Sequence, residues 1–437
     1  MPTPTSRFAI ATSASNHIFR RDHEPETRAQ GNVATVNQRH RVGPISQDLL
    51  DIATKTRTNP LPWKGQFSPQ LIEAILAAAG QHFDHVLDPF AGSGTVLYEA
   101  IRSGSRSTGV EVNPAAVMLA RIYTLAEMTP RRRDDAVHEV DRVVAGSVSL
   151  GPLFSGQDHD DSAEIQQILG ATVSSAAKVI INALAVLSGD SGKPPTHDAF
   201  HAAWPRIRDL IASLPDLPVQ TNVVHGDARN LEIPDQSVDI IITSPPYINV
   251  FNYHQQYRTG VEQLGLEVLP IARSEIGSNR QNRGNRYRTV VQYCLDMELV
   301  LREWVRVLKP SGRAVVIVGR ESRVRGTPFF NGALLASIAT NTPGLVIEQT
   351  QERQFTNRYG YTIVEDILYL RCGAATPLID SVSARSVARD ALLEARKQTS
   401  PVARPDLEQA LAEIDNIEPS PQLFDELRIL PLPRDMQ

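Results

Sequence analysis

Cysteine is scarce in this sequence: Cys294 and Cys372 are the two cysteines among its 437 residues. Two thiols exclude a disulfide framework and a multi-cysteine zinc site, and so few are typical of a protein in a reducing compartment such as the cytoplasm. Long apolar runs are missing as well, since none approaches the roughly 20 residues that a helix needs to cross a bilayer. We therefore expect a soluble, cytoplasmic protein without a metal centre.

Lysine is also scarce, with six residues against 38 arginines, and the formal net charge is −5. An acidic chain of this kind would have to contact nucleic acid through local patches rather than through its whole surface. Arginine suits such patches because its planar guanidinium forms paired contacts with phosphate and guanine. A GC-rich coding bias would give the same count, and composition does not separate the two explanations.

Short β-branched runs alternate with helical stretches from about residue 45 onward. This alternation predicts an α/β fold with a doubly wound, mostly parallel sheet. The last two strands have a short connection without a helix, so we expect them to be antiparallel. The seven predicted strands are residues 85–90, 107–112, 221–225, 238–244, 312–319, 345–351 and 364–371, and the helices among them are 69–79, 96–102, 114–126 and 290–307.

The chain also divides by composition into segments of different character. A helical insertion interrupts the predicted sheet domain, and apolar residues at helical spacing within it predict helices over residues 163–187 and 197–214. We expect a flexible arm at 1–44, the sheet domain at 45–128 and 219–374, the insertion at 129–218, and a polar, helix-prone tail at 375–437.

A predicted strand runs into a Gly-rich turn and then a helix at residues 86–102. Gly92 and Gly94 allow close backbone approach to a ligand, and the helix start offers free N–H groups. The spacing is neither that of a dinucleotide-binding loop nor that of a phosphate-binding loop with its lysine. The next two strands end in Glu111 and Asp227, which at the same sheet edge would hold a ribose diol and an adenine amino group. The pattern predicts a nucleotide-like ligand.

The fourth predicted strand ends in a rigid turn, Thr-Ser-Pro-Pro-Tyr at residues 243–247. The prolines remove two backbone donors and leave carbonyl acceptors facing outward, while Ser244 adds a hydroxyl and Tyr247 an aromatic face. An exocyclic base amine is a poor nucleophile, because its lone pair is delocalised into the ring. Acceptors that hold its hydrogens would aim the lone pair at a methylsulfonium, and the aromatic ring would stack an extruded base. Catalysis would then depend on positioning and electrostatics.

Together, residues 88–95 and 243–247 resemble the amino-group DNA methyltransferases. With serine in its first position, the Ser-Pro-Pro-Tyr motif resembles that of the cytosine-N4-specific members of the family. Adenine-specific members more often have Asp or Asn at this position. Residues 59–69 are similar to the segment that packs over the cofactor in that family. The resemblance covers roughly residues 58–128 and 219–372. It implies a seven-stranded, Rossmann-like class I methyltransferase fold.

The resemblance further implies a site-specific DNA methyltransferase that uses S-adenosyl-L-methionine and acts on N4 of a flipped cytosine in duplex DNA. A restriction–modification or epigenetic role would follow, with a cognate restriction endonuclease as a possible partner. The cofactor residues implied are Trp63, Lys64, Phe67, Asp88, Pro89, Phe90, Ala91, Gly92, Ser93, Gly94, Thr95, Glu111, Asn113, Asp227 and Ala228. The catalytic residues implied are Ser244, Pro245, Pro246 and Tyr247.

Arginine, asparagine and glutamine are frequent just after the catalytic turn and in the connection between the last two strands. These residue types read base edges and hold phosphates, although a solvated loop has the same composition. The DNA contacts predicted on this basis are Arg273, Arg280, Arg283, Arg286, Arg288, Arg358 and Tyr359. The insertion at 129–218 is a second candidate for target recognition.

Three alternatives remain open. The cofactor motif precedes the catalytic motif, an order less typical of cytosine-N4 members, so adenine N6 is the closest alternative acceptor. The second alternative is methylation of guanine N2 in RNA. The third is a subunit that binds DNA without catalytic activity. Cytosine C5 chemistry is excluded, because it needs a nucleophilic cysteine, classically after proline, whereas Cys294 follows Tyr293 and Cys372 follows Arg371.

Overall fold

The structure, a computed structural model, describes residues 43–79, 83–146, 161–189, 194–248, 253–278, 282, 284–357, 360–373, 382–423 and 429. The strands are Val86–Asp88 (β1), Ser107–Glu111 (β2), Thr221–His225 (β3), Val238–Thr243 (β4), Leu308–Gly319 (β5), Glu321–Val324 (β6), Thr327–Phe330 (β7), Leu345–Thr356 (β8) and Thr362–Cys372 (β9). The first helices are Gln47–Asp51 (α1), Pro69–Ala78 (α2), Thr95–Arg102 (α3), Pro114–Ala120 (α4), Pro130–Gly146 (α5), Asp161–Gly170 (α6) and Ser175–Ser188 (α7). The later helices are His197–Ala212 (α8), Arg258–Gln263 (α9), Val268–Ile271 (α10), Arg288–Val307 (α11), Asn331–Thr340 (α12), Ala384–Ala395 (α13) and Arg404–Ala412 (α14).

The predicted sheet is confirmed. Its seven strands lie in the order β3-β2-β1-β4-β5-β9-β8 within the described residues. The first five pair in parallel, whereas β9 is antiparallel to both β5 and β8, as expected from the short connection between the last two strands. The carboxyl ends of β1 to β4 therefore meet at one edge, where the motifs were placed.

Apolar side chains on both faces of β4 and β5 explain why these strands lie at the centre of the sheet. Ile240 and Ile242 belong to a buried cluster with residues of α2 and α3. Ile241 and Val316 belong to another, on the face that α11 covers. Continuous apolar runs are typical of strands covered on both faces. None of the described helices combines the length and apolar content needed for a membrane span.

Two of the predicted helices are wrong in extent. Residues 163–187 form α6 and α7 rather than one helix, because Gly170 ends the first and Ser174 caps the second, its hydroxyl accepting from the backbone N–H of Ala177 at 3.2 Å. The helix predicted over 114–126 is α-helical as far as Ala120 and continues as the 3₁₀ helix Arg121–Glu127. Helix α5 was not predicted, and together α5 to α8 pack against α4 in one apolar cluster.

The segment expected to be a polar tail contributes to the core. Helices α13 and α14 place Leu392 and Leu407, both fully buried, in the apolar cluster that surrounds α11. Their polar residues lie on the outer faces, which explains the polar composition. The hairpin of β6 and β7 was also not predicted, and its two strands are only four residues long.

Candidate functional site

A cavity of about 900 Å³, including its open mouth, lies at the carboxyl edge of the sheet. Asp88, Glu111 and Asp227, the three strand-end acids, all line it. Of the other expected cofactor residues, the lining includes Trp63, Lys64, Phe67, Pro89, Phe90, Ala91, Gly92, Thr95, Asn113 and Ala228. Ser93 and Gly94 belong to the same turn but are not part of the lining. The sheet thus brings together residues that are far apart in the chain.

The Gly-rich turn needs both of its glycines, for different reasons. Gly92 has φ of 51°, and a side chain on it would begin 3.1 Å from Cδ1 of Trp63, inside the cavity. Gly94 has φ of 89°, and a side chain there would begin 2.6 Å from the ring of Tyr123 in the core. Left-handed backbone of this kind favours glycine. Gly92 therefore shapes the cavity, while Gly94 lets α3 begin at Thr95.

Two acidic residues, the buried Asp88 of β1 and the half-buried Glu111 of β2, line the cavity. Glu111 accepts hydrogen bonds from the backbone N–H groups of Gly92 and Asn113, both at 2.8 Å. Asp88 accepts from the hydroxyl of Thr243 at 2.6 Å and from the backbone N–H of Phe90 at 3.1 Å. Burial raises the pKa of each to about 7. A cationic ligand, or one with donor hydroxyls, would favour their ionised forms.

Asp227 is held by an arginine that sequence reasoning missed. The side chain of Arg229 is fully buried and joins the carboxylates of Asp227 and Asp296, each at 2.7 Å. It also donates to the carbonyl of Ser420 at 2.8 Å, and the backbone N–H of Leu423 donates to Asp227 at 3.1 Å. The C-terminal segment thereby fixes the acid expected to meet adenine. No local pattern indicated this, because the bonds to the C-terminal segment span up to 196 positions of the chain.

One wall of the cavity is aromatic. The indole of Trp63 stacks with Tyr253 at a centroid distance of 6.4 Å and with Tyr257 at 6.3 Å. The backbone N–H of Lys64 donates to the side chain of Gln256 at 3.2 Å. The segment before the Gly-rich turn and the segment after the catalytic turn therefore meet over the cavity.

Sequence reasoning missed several residues that line the cavity, and four of them follow the catalytic turn, where we predicted DNA contacts. Glu275 is one, and it is 3.1 Å from the ring of buried His254. The missed residues are Gly65, Gln66, Val112, Gly226, Tyr253, Ser274, Glu275 and Ile276. Part of the predicted DNA-binding segment thus closes the ligand cavity.

The Ser-Pro-Pro-Tyr turn at residues 244–247, which we expect to be catalytic and call the catalytic turn, is joined directly to the cavity. The bond from Thr243 to Asp88 connects the end of β4 with the end of β1, and Ser244 and Pro246 both line the cavity. The hydroxyls of Ser244 and Tyr247 are 3.4 Å apart. Burial raises the pKa of Tyr247, so its phenol stays neutral at physiological pH. Pro245 is buried and Tyr247 is partly exposed, and neither is part of the lining.

The predicted DNA-binding residues differ in their surroundings. Arg273 and Arg286 are exposed, whereas Arg288 pairs with Glu413 of the C-terminal segment. Arg280, Arg283, Arg358 and Tyr359 lie outside the described residues.

Comparison with known proteins connects this geometry to a family. Residues 22–121, which include the Gly-rich turn and Glu111, match the N6/N4 family model described as DNA methylase. The chain is also 38% identical over 82 residues to the Type II methyltransferase M.MjaII of Methanocaldococcus jannaschii. That alignment covers 18% of this chain and 15% of the relative, so the likeness spans a small part of the relative's length.

Solved structures give weaker likenesses. A SAM-dependent methyltransferase of Methanosarcina mazei has a TM-score of 0.31 at 12% identity, covering 67% of this chain and 94% of its own. TrmN of Thermus thermophilus has a TM-score of 0.31 at 15% identity, covering 71% and 50%. Scores this low carry no argument about function. Over residues 22–121 the chain is therefore similar to the N6/N4, or amino-group, DNA methylases, and a shorter stretch is similar to a Type II methyltransferase.

Proposed function

We propose that this protein transfers a methyl group from S-adenosylmethionine to an exocyclic amino group of a base in DNA, with cytosine N4 as the acceptor. One observation carries the proposal: Ser244 and Pro246 line the same cavity as Asp88, Glu111 and Asp227. A methyl donor held by the acids would therefore lie beside the turn that holds the acceptor amine.

S-adenosylmethionine is the cofactor of this family, and the residues present fit it. Glu111 is suited to accept from a ribose diol and Asp227 from an adenine amino group, because both residues line the cavity. Trp63 offers an apolar face above Gly92. The cofactor supplies a methyl group on a cationic sulfonium, which suits a cavity lined by acids.

The protein's own contribution is positioning. The backbone carbonyls of the Pro-Pro turn and the hydroxyl of Ser244 would accept the two hydrogens of the base amine and aim its lone pair into the cavity. Tyr247 packs against Gly319, so its ring orientation is fixed before a flipped base arrives. Its neutral phenol supplies a stacking face and a hydrogen-bond donor rather than a general base.

The choice of cytosine rests on Ser244, and adenine N6 is the closest alternative. DNA contact is supported by Arg273, which is exposed and adjacent in sequence to the cavity residue Ser274. The partial match to a Type II methyltransferase supports a restriction–modification setting, in which a cognate endonuclease would be a partner.

Tyr247→Ala is expected to lower methyl transfer to DNA about 100-fold, because a misplaced acceptor loses rate while the cofactor site stays intact. Tyr247→Phe keeps the ring and should stay within about tenfold of wild type. The assay is transfer of labelled methyl to unmethylated duplex DNA, alongside calorimetric binding of S-adenosylmethionine. Equal losses in both variants would contradict the stacking role.

Cofactor affinity should depend on pH through Glu111. Burial raises its pKa from 4.5 to about 7, and the ionised form is the one that accepts from hydroxyls. The ionisation of Glu111 alone should therefore make binding about tenfold weaker at pH 6 than at pH 8. Stability of the cofactor-free protein runs the other way: because the folded protein holds the proton more tightly, stability falls as pH rises from 4.5 to about 7.

The control for this prediction is Glu111→Gln, measured by calorimetry across the same pH range. This variant should bind the cofactor more weakly, and its affinity should change less with pH. The pH dependence that remains is the part that Asp88 contributes. An unchanged profile in Glu111→Gln would show that another group controls binding.

A further inference from the structure

A charged pair lies beside the catalytic turn and has no part in the mechanism above. A side chain at Gly319, the end of β5, would begin 2.8 Å from Cε2 of Tyr247. Gly319 is opposite Glu365 of β9, which is opposite Arg353 of β8. Side chains of directly opposed residues project from the same face of a sheet. Tyr247, Glu365 and Arg353 therefore form a row on one face.

The guanidinium of Arg353 is buried with few partners. Its Nε lies 3.5 Å from the carboxylate of Glu365, and the two side chains are 6% and 16% exposed. Its Cζ lies 4.7 Å from the ring centre of Phe355, yet Nε makes no hydrogen bond within the described residues. Burial lowers the pKa of Arg353, and the nearby Glu365, Asp51 and Tyr247 all oppose that shift. A buried guanidinium normally has more complete hydrogen bonding.

We propose that Arg353 donates hydrogen bonds to the ring acceptors of the flipped base, and that Glu365 positions its guanidinium for this contact. The proposal rests on the proposed function, because it places the base amine at the turn formed by Ser244 to Tyr247. Tyr247 lies next to the pair, so a base stacked on that tyrosine would bring its ring edge toward Arg353.

The chemistry of the two possible bases gives this contact a consequence. In cytosine, ring N3 and carbonyl O2 follow the amino-bearing carbon, and they present two acceptors side by side, like a carboxylate. In adenine, N1 is followed by a C–H group, so one acceptor is present. A guanidinium offers two parallel N–H donors and matches the paired acceptors. Arg353 would therefore select cytosine over adenine, which strengthens the part of the proposed function that otherwise depends on Ser244.

The test compares Arg353→Met with Arg371→Met. Arg371 pairs with Glu348 at 2.8 Å in the same two strands. It lies opposite Arg313, six residues of strand from Gly319 and so about 20 Å away. With unmethylated genomic DNA as substrate, Arg353→Met should lower kcat/KM for cytosine methylation about 10- to 100-fold. Cofactor affinity should not change, Arg371→Met should behave as wild type, and Arg353→Lys should recover part of the loss.

A substituted base separates direct contact from a structural role. After the wild-type methylation site has been mapped by sequencing, a duplex is made with 3-deazacytosine, which lacks the N3 acceptor, at the target position. Wild type should lose about tenfold or more on this duplex, whereas Arg353→Met should lose nothing further. If the methionine variant folds poorly, Arg353→Lys replaces it in this comparison. Its methylation rate should fall less on the 3-deazacytosine duplex than the wild-type rate does.

Each outcome has one meaning. If 3-deazacytosine lowers the methylation rate of both Arg353 variants as much as it lowers the wild-type rate, the proposed contact is wrong. Wild-type rates for Arg353→Met would overturn it as well. Wild-type protein that methylates no cytosine in DNA would instead show that the proposed function itself is wrong, before any variant is compared.

Discussion

The Gly92→Val substitution is expected to weaken S-adenosylmethionine binding about 1000-fold. Gly92 has φ of 51°, and a side chain there begins 3.1 Å from the indole of Trp63. A β-branched residue in left-handed backbone costs about 1–3 kcal/mol, and crowding a packed wall costs about 1–3 kcal/mol more. Both costs act on affinity here, because the turn that would shift to relieve them lines the cavity. The new methyl groups would also occupy the cavity beside Glu111. Titration calorimetry measures the affinity directly.

The matched control is Gly326→Val, in the turn between β6 and β7. Gly326 has φ of 84°, but no atom lies within 4 Å of a side chain placed there. This variant has similar backbone strain without the crowding, so it should lose stability and keep cofactor affinity within about twofold. If Gly92→Val binds the cofactor like the control, the ligand is not held where we place it.

The Arg229→Met substitution should reduce the free energy of unfolding by about 3–5 kcal/mol, because it leaves two buried carboxylates unpaired. The side chains of Arg229 and Asp296 have no exposed surface, and that of Asp227 is 4% exposed. Methionine fills similar volume but restores none of the hydrogen bonds to Ser420 and Ser274. Urea unfolding, followed by circular dichroism, gives the difference.

Two further variants make the result specific. Arg389→Met breaks an exposed pair with Asp415 and should cost below about 1 kcal/mol. Adding Asp296→Asn to Arg229→Met removes one unpaired charge and should recover part of the lost stability. A loss below about 1 kcal/mol for Arg229→Met alone would contradict the role assigned to this network.

The sheet and the position of the site could be predicted because their determinants are local. Continuous apolar runs mark β4 and β5 as central strands, and parallel strands end at one edge. Asp88, Glu111 and Asp227 were therefore expected to lie close together, and all three line one cavity.

The rest depends on contacts between distant parts of the chain. Arg229 is a lone arginine in the sequence, and its role becomes visible when residues 420–423 and Asp296 lie against it. Glu275 lies in the segment that we assigned to DNA contact, two residues after Arg273, so its place in the cavity has no local signal. Helix α13 is polar on average because it buries only one side, and its packing on α11 could not be inferred from composition.

The most direct test of the central claim is the identity of the methylated nucleoside. Wild-type protein is incubated with S-adenosylmethionine labelled in its methyl group and with unmethylated duplex DNA, which is then digested to nucleosides and analysed by mass spectrometry. We expect the label in N4-methylcytosine. Label in N6-methyladenine would contradict the choice of cytosine, and label in 5-methylcytosine, in RNA alone, or in no nucleic acid would contradict the account as a whole.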